Sequence, residues 1–292
     1  MTDIEGASAR LAREIGNVLE RNPQSRNILQ AFEPILQEKA RLAERIVCKQ
    51  IDPSAIDRSR LAGGIPVIRQ TPLLLPEDPW EEIVRAVIPA IIQGFPALRA
   101  ELLVLQKGID DGTIRLSDFY RAQDGHPVLA RWAAAIVVRQ VAIDFLLWAA
   151  EKPVLENRRR TLQEVLSTSG WDRGYCPCCG ELPSVAVIHE KIPQRWLHCS
   201  RCGHDWRFSR TLCPCCARES QREMPYFFVE GREQETAFIC ASCKRYLITV
   251  NHIGDLEEHD PDVLAMGMAH LDLLMQQKGF LPMTVSAWNV FD

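Results

Sequence analysis

Before residue 176 the chain has a single cysteine, Cys48, too few for a disulfide framework there, so cysteine usage splits the chain. Cys48 is most simply a small buried apolar side chain. No run is long and apolar enough to span a membrane. The most apolar stretch, AAAIVVRQVAIDFLLWAA (133–150), carries Arg139, Gln140 and Asp144. A spanning helix needs about 20 apolar residues with almost no charge, so a buried helix without membrane insertion is expected. The opening MTDIEGASARLAREIGNVLE has no apolar run after a basic start. A secretory signal is therefore not expected, and the protein should be cytoplasmic. A concentrated basic face is missing too. Residues 171–250 hold eleven basic against nine acidic side chains, and 251–292 hold one against seven. That balance is faint for a nucleic-acid binder, so no nucleic acid is expected as partner. HExxH, a Gly-rich phosphate loop and a nucleophile elbow are all absent, and nothing reads as catalytic.

What is present begins with helices. Thr2 and Glu5 form a capping box, followed by Ile4, Ala7, Leu11, Ile15 and Val18 at spacings of three and four. Asp78-Pro79-Trp80-Glu81 reads as a second helix start with Asp78 as the cap. Pro89 inside the following run predicts a kink or break. Residues 127–151 form the clearest element: Pro127 suits a first turn, Pro153 stops it, and the near-uniform apolarity between them suits the centre of a bundle. A partner groove is the other use of that face. VLENRRRTLQEVLSTSG (154–170) supplies another helix ending near Gly170, with Arg158, Arg159 and Arg160 on a solvated face.

The other ten cysteines fall between 176 and 243. Eight make four CxxC units: Cys176/Cys179, Cys199/Cys202, Cys213/Cys216 and Cys240/Cys243. Two residues between cysteines let one tight turn aim both sulfurs at a single ion while turn amides donate to them. Two such knuckles supply a tetrahedral four-thiolate site. SVAVI, RWLH and WRF in the first half, and YFFV, TAFI and YLITV in the second, read as strands. The unit is knuckle, strand, turn, strand, knuckle, strand, occurring twice. Nineteen residues separate Cys179 from Cys199 and 23 separate Cys216 from Cys240, spacings near those of four-cysteine ribbons. The repeat points to two self-contained sites. Nested pairing of outer with inner knuckles, and redox dithiols, are the alternatives. With so little core, the metals are expected to hold this region folded.

Cys178 and Cys215 occupy the middle of C-P-C-C in both copies, as spare thiols or as small residues tolerated at a turn. His189, His198 and His204 lie near the ligand sets without being needed as ligands. Gly180 and Gly203 follow the knuckles of the first site, where a left-handed residue eases the turn. Ala217 and Lys244 stand there in the second, which is expected to bind its ion more weakly. The chain closes with an acidic, solvated linker and a helix. Asp260 caps that helix, Gly279 ends it, and Leu264, Met268, Leu271 and Met275 line one face.

With CPCCGELP, RWLHCSRCGHDW, LCPCC, CASCKRYL and DVLAMGMAHLDLLMQQKGF in this order, the chain resembles the FdhE family of formate dehydrogenase accessory proteins. The resemblance covers most of 171–281 closely and the helical half in general character. It implies a cytoplasmic, non-catalytic protein with rubredoxin-like metal centres. Such a factor acts on the catalytic subunit of respiratory formate dehydrogenase during its maturation before export. The family's metal-binding cysteines fall on Cys176, Cys179, Cys199, Cys202, Cys213, Cys216, Cys240 and Cys243. The implied cofactor is iron, two ions per chain, with zinc the alternative that raw affinity favours. Extra Cys178 and Cys215, and the absent glycines of the second site, depart from the pattern.

The expected fold is α+β and multidomain. A helical domain (1–170) precedes two tandem rubredoxin-like or zinc-ribbon four-cysteine modules (171–210 and 211–254) and an acidic linker with a C-terminal helix (255–292). Two other functions remain open, a rubredoxin-like electron carrier and a nucleic-acid-binding zinc ribbon. The best candidates for the latter's surface are Trp196, Trp206 and Phe208 near Arg195, Arg201, Arg207 and Arg210.

Overall fold

The computed structural model describes residues 6–118, 131, 132, 134, 136–190, 194–219, 226–254 and 259–290. Helices dominate the first half and strands the second, as expected for α+β. By packing, the chain divides into two compact units. One takes residues up to Ala12, Gln30–Ile51 and Pro72–Thr161; the other takes Arg13–Leu29, Asp52–Thr71 and everything from Leu162 onward.

The helices are α1 (Ala7–Arg21), α2 (Arg26–Arg45), α3 (Arg58–Ala62), α4 (Trp80–Gly94), α5 (Arg99–Asp110), α6 (Gln140–Thr161) and α7 (Gln163–Ser167). Leu11, Ile15 and Val18 of the α1 stripe are buried, whereas the Thr2–Glu5 cap lies outside the described residues. Pro89 does not break α4, which stays helical to Gly94. Nor does Pro153 stop α6, which carries it inside and absorbs the start of the helix expected over 154–170. A proline removes one backbone donor, but Ala149, Ala150, Val154 and Leu155 around it are buried, and that packing holds the helical path. The start expected at Pro127 lies outside the described residues; Val137, at φ 55°, interrupts the helical path shortly before α6.

In the helical unit, Phe32, Phe95, Phe145 and Trp148 form one ring cluster with neighbouring centroids 4.9 to 6.0 Å apart. Cys48 is buried, and burial pushes its thiol up to about 11. Asp78 does not cap α4. Its carboxylate takes the Leu75 amide at 2.7 Å and the guanidinium of Arg158, which is fully buried rather than solvated. The sequence shows a charge in an RRR run, and only the fold supplies its buried partner.

The second unit is built on one sheet. β1 (Val185–His189), β2 (Arg195–Cys199) and β3 (His204–Phe208) form the first ribbon; β4 (Tyr226–Phe228), β5 (Glu235–Ile239) and β6 (Arg245–Ile253) form the second. Strand order is β3-β2-β1-β6-β5-β4, with the short β7 (Leu281–Pro282) beside β6. The two ribbons therefore join into a continuous sheet through a parallel β1–β6 pairing, Val185 opposite Ile248. All of Tyr246–Val250 is buried, as a central strand covered on both faces requires.

The C-terminal stretch makes two helices, α8 (Pro261–Gly267) and α9 (Ala269–Gln277), rather than one. Ser25 donates to the Gly267 carbonyl at 2.6 Å, which takes that oxygen out of a regular helical ladder. Asp260 caps α8 through the amides of Asp262 and Val263, and Gly279 ends α9 at φ 83°. Leu264, Met268, Leu271 and Met275 are all buried. Asp262 is buried too, a correction to the solvated reading of the acidic stretch, and it accepts from Ser200 in the turn that follows β2.

Candidate metal centres

Each CxxC closes the same turn. The amides of Gly180, Gly203, Ala217 and Lys244 donate to the carbonyls of Cys176, Cys199, Cys213 and Cys240 at 2.8 to 2.9 Å. Those four residues have φ of 80°, 68°, 54° and 58°, so the second copy does carry non-glycine residues in the left-handed region. Amides also point at sulfur. Cys213 Sγ accepts from Cys215 and Cys216, Cys199 from Cys202, Cys240 from Cys243, and Cys243 from Arg245.

The turns bring the cysteines together sequentially. Cys176, Cys179, Cys199 and Cys202 make one set and Cys213, Cys216, Cys240 and Cys243 the other, with all sulfurs of a set within 4.8 Å. Facing pairs are 3.6 Å (Cys176–Cys202), 3.3 Å (Cys179–Cys199), and 3.7 Å (Cys213–Cys243 and Cys216–Cys240). A tetrahedron with metal–sulfur bonds of about 2.3 Å has edges of about 3.8 Å, so the donors fit a thiolate-bound ion. Burial pushes the Cys176 and Cys202 thiols well up and Cys213 to about 12, a cost that a bound cation relieves. Nested pairing is not what the fold assembles.

The sets differ in cover. All four cysteines of the first are buried, whereas Cys216 and Cys243 of the second reach partway to solvent. The first knuckle is strapped by residues that sequence reasoning missed. Val67 and Ile68 donate their amides to the carbonyls of Pro177 and Cys178 at 2.9 and 3.0 Å. Tyr175 reaches back to the Gly64 carbonyl at 2.7 Å. The signal was the Gly-Gly-Ile-Pro turn at 63–66, which by itself marks only a bend. Cys178 is buried against Cys202 within the first set, and Cys215 is half-buried beside the second.

Near the second knuckle, His198 Nδ1 lies 2.8 Å from Asp205 and Nε2 lies 3.5 Å from Asp262. Burial opposes its charge, but the two carboxylates outweigh burial and hold it at about 10, an imidazolium at neutral pH. His204 is buried and parallel to Trp206, and His189 sits at the end of β1.

Residues 175–210, the first set and its ribbon, match the family model described as FdhE, central domain. A curated relative, the FdhE homolog of Aquifex aeolicus, is 24% identical over 274 residues, covering 90% of this chain and 88% of the relative. The FdhE homolog of Actinobacillus pleuropneumoniae serotype 3 is 30% identical over 141 residues, 46% of this chain and 44% of the relative. The chain is thus similar to FdhE proteins, over residues 175–210 by the family model and over most of its length by the Aquifex relative. The crystal structure of the FdhE protein from Pseudomonas aeruginosa shares the fold, with a TM-score of 0.62 at 20% identity over 94% of this chain and 92% of that one.

Three of the residues considered for a nucleic-acid surface are turned inward. Arg195, Trp206 and Phe208 are buried, and Trp206 donates to the Arg173 carbonyl at 3.0 Å. Arg201 pairs with Glu181, and Arg207 covers Trp196 with its guanidinium 5.0 Å from the ring. No helix among the described residues is long and apolar enough to cross a membrane.

Proposed function

We propose that this chain is a non-catalytic accessory factor in the maturation of respiratory formate dehydrogenase, binding the enzyme's catalytic subunit in the cytoplasm before export. The observation that carries the reading is the pair of closed four-cysteine sets in a chain similar to FdhE proteins. Four thiolates fill a tetrahedral ion and leave no position for a substrate, which supports a non-catalytic role. Each set holds one ion through all four of its cysteines. Thiolates suit both iron and zinc; the resemblance to rubredoxin-like centres favours iron, and the amides aimed at Cys213 and Cys240 would tune such a centre. Iron would supply one-electron chemistry there.

The direct test is co-purification of wild type and a Cys240→Ser/Cys243→Ser variant with the catalytic subunit, alongside formate dehydrogenase activity in cells lacking the factor. Loss of activity without the factor, together with a complex that the variant weakens, supports the proposal. Full activity without it and no detectable complex would sink it. One observation favours a second reading as an electron carrier: the partial exposure of Cys216 and Cys243 gives that centre a route to a partner surface. Reversible reduction of an iron-loaded protein by a redox partner would support that reading.

A further inference from the structure

Arg195 opens β2, opposite Ile188 on one side and Phe208 on the other. Its side chain is among the largest fully buried ones in the chain. Nη2 donates to the carbonyls of Ser209 and, at 2.6 Å, Leu212. Nε and Nη1 have no hydrogen-bond partner among the described residues, and no described carboxylate lies in ion-pair range. The guanidinium carbon is 5.2 Å from the ring centres of both Phe208 and Phe238. Two rings compensate a desolvated cation only in part. A buried guanidinium without an anion is strongly unfavourable, and a fold retains one where an opposite charge is supplied.

The surroundings identify that charge. Leu212, which takes the Nη2 hydrogen bond, immediately precedes Cys213; Phe238 lies two residues before Cys240. Arg195 therefore contacts both strands of chain that deliver the second cysteine set. Four thiolates around a divalent ion leave two net negative charges, and this set is the incompletely covered one. We propose that Arg195, supplied by the first ribbon, is the built-in counter-cation of the thiolate-bound ion at Cys213, Cys216, Cys240 and Cys243. The inference rests on the reading that this set holds a metal. It also gives the ribbons an electrostatic link beyond their shared sheet.

Anaerobic titration of the metal-free full-length protein with Co(II) tests this, since thiolate-to-cobalt absorption reports each four-sulfur site. Wild type takes two equivalents. Arg195→Gln keeps a donor for the Ser209 and Leu212 carbonyls but removes the charge; Arg195→Lys keeps the charge. The expected result is an unchanged first equivalent in both variants, with the second weakened about tenfold or more in the Gln variant and within about threefold of wild type in the Lys variant. Two wild-type equivalents in the Gln variant would overturn the inference. So would equal losses in both variants, since donor geometry rather than charge would then govern. If the Gln variant unfolds and loses both equivalents, the Lys variant decides: retention of the second supports the inference and its loss overturns it. Fewer than two equivalents in wild type overturns the underlying metal reading instead.

Discussion

Arg158 donates to both carboxylate oxygens of Asp78, and neither side chain reaches solvent. The same guanidinium also serves the carbonyls of Lys49 and Leu73, so one cation ties three segments of the helical unit. Removing one partner of a buried pair leaves an uncompensated charge. Asp78→Ala is expected to lower stability by about 3–5 kcal/mol, read from chemical denaturation. Replacing both residues together, as Asp78→Leu/Arg158→Met, should be much milder. Equal losses for the single and double variants would mean that packing, not charge pairing, sets the effect.

Ala217 and Lys244 hold left-handed conformations that Gly180 and Gly203 hold without strain. Each non-glycine residue there is disfavoured by about 1 kcal/mol. Ala217→Gly or Lys244→Gly is expected to tighten the second site by up to roughly fivefold, and Gly180→Ala to weaken the first. Chelator competition on the loaded protein measures both. No change in the second site on either glycine substitution would show that its turns are relaxed as they stand.

Asp272 is buried in α9 and accepts from the Tyr246 hydroxyl at 2.7 Å. Burial raises its pKa to about 7, the tyrosine bond opposing this only in part. The native state thus keeps a proton that the unfolded chain releases near pH 4, so stability falls as pH rises from about 4 to about 7 and levels above. The fall is on the order of 4 kcal/mol at most. Asp272→Asn keeps an acceptor for Tyr246 and should remove this component, gaining on wild type across that window. Parallel stability curves for the two proteins would contradict the assignment.

Local signals were well read from the sequence. The strands fall within a residue or two of the expected runs, except that β6 continues three residues past YLITV to Ile253, because alternating apolar segments bounded by Cys-Pro and Gly turns fix them locally. The knuckle turns and the left-handed positions were legible for the same reason. Pairing at a distance was not. Nothing in SVAVI or YLITV says that β1 and β6 lie side by side in parallel, since each could equally close its own ribbon. The Val67–Ile68 strap, the buried Asp262 and the Asp78–Arg158 pair are likewise charges or turns whose partners lie far along the chain. Pro153 misled because proline signals a helix end only where packing does not override it.

The measurement that bears most directly on the account is the metal content of three proteins: wild type, Cys176→Ser/Cys179→Ser and Cys213→Ser/Cys216→Ser. Two sequential centres predict about two ions in the first and about one in each variant, with the remaining ion still bound by four thiolates. Loss of both ions from either double substitution, in a protein whose other ribbon remains folded, would contradict it.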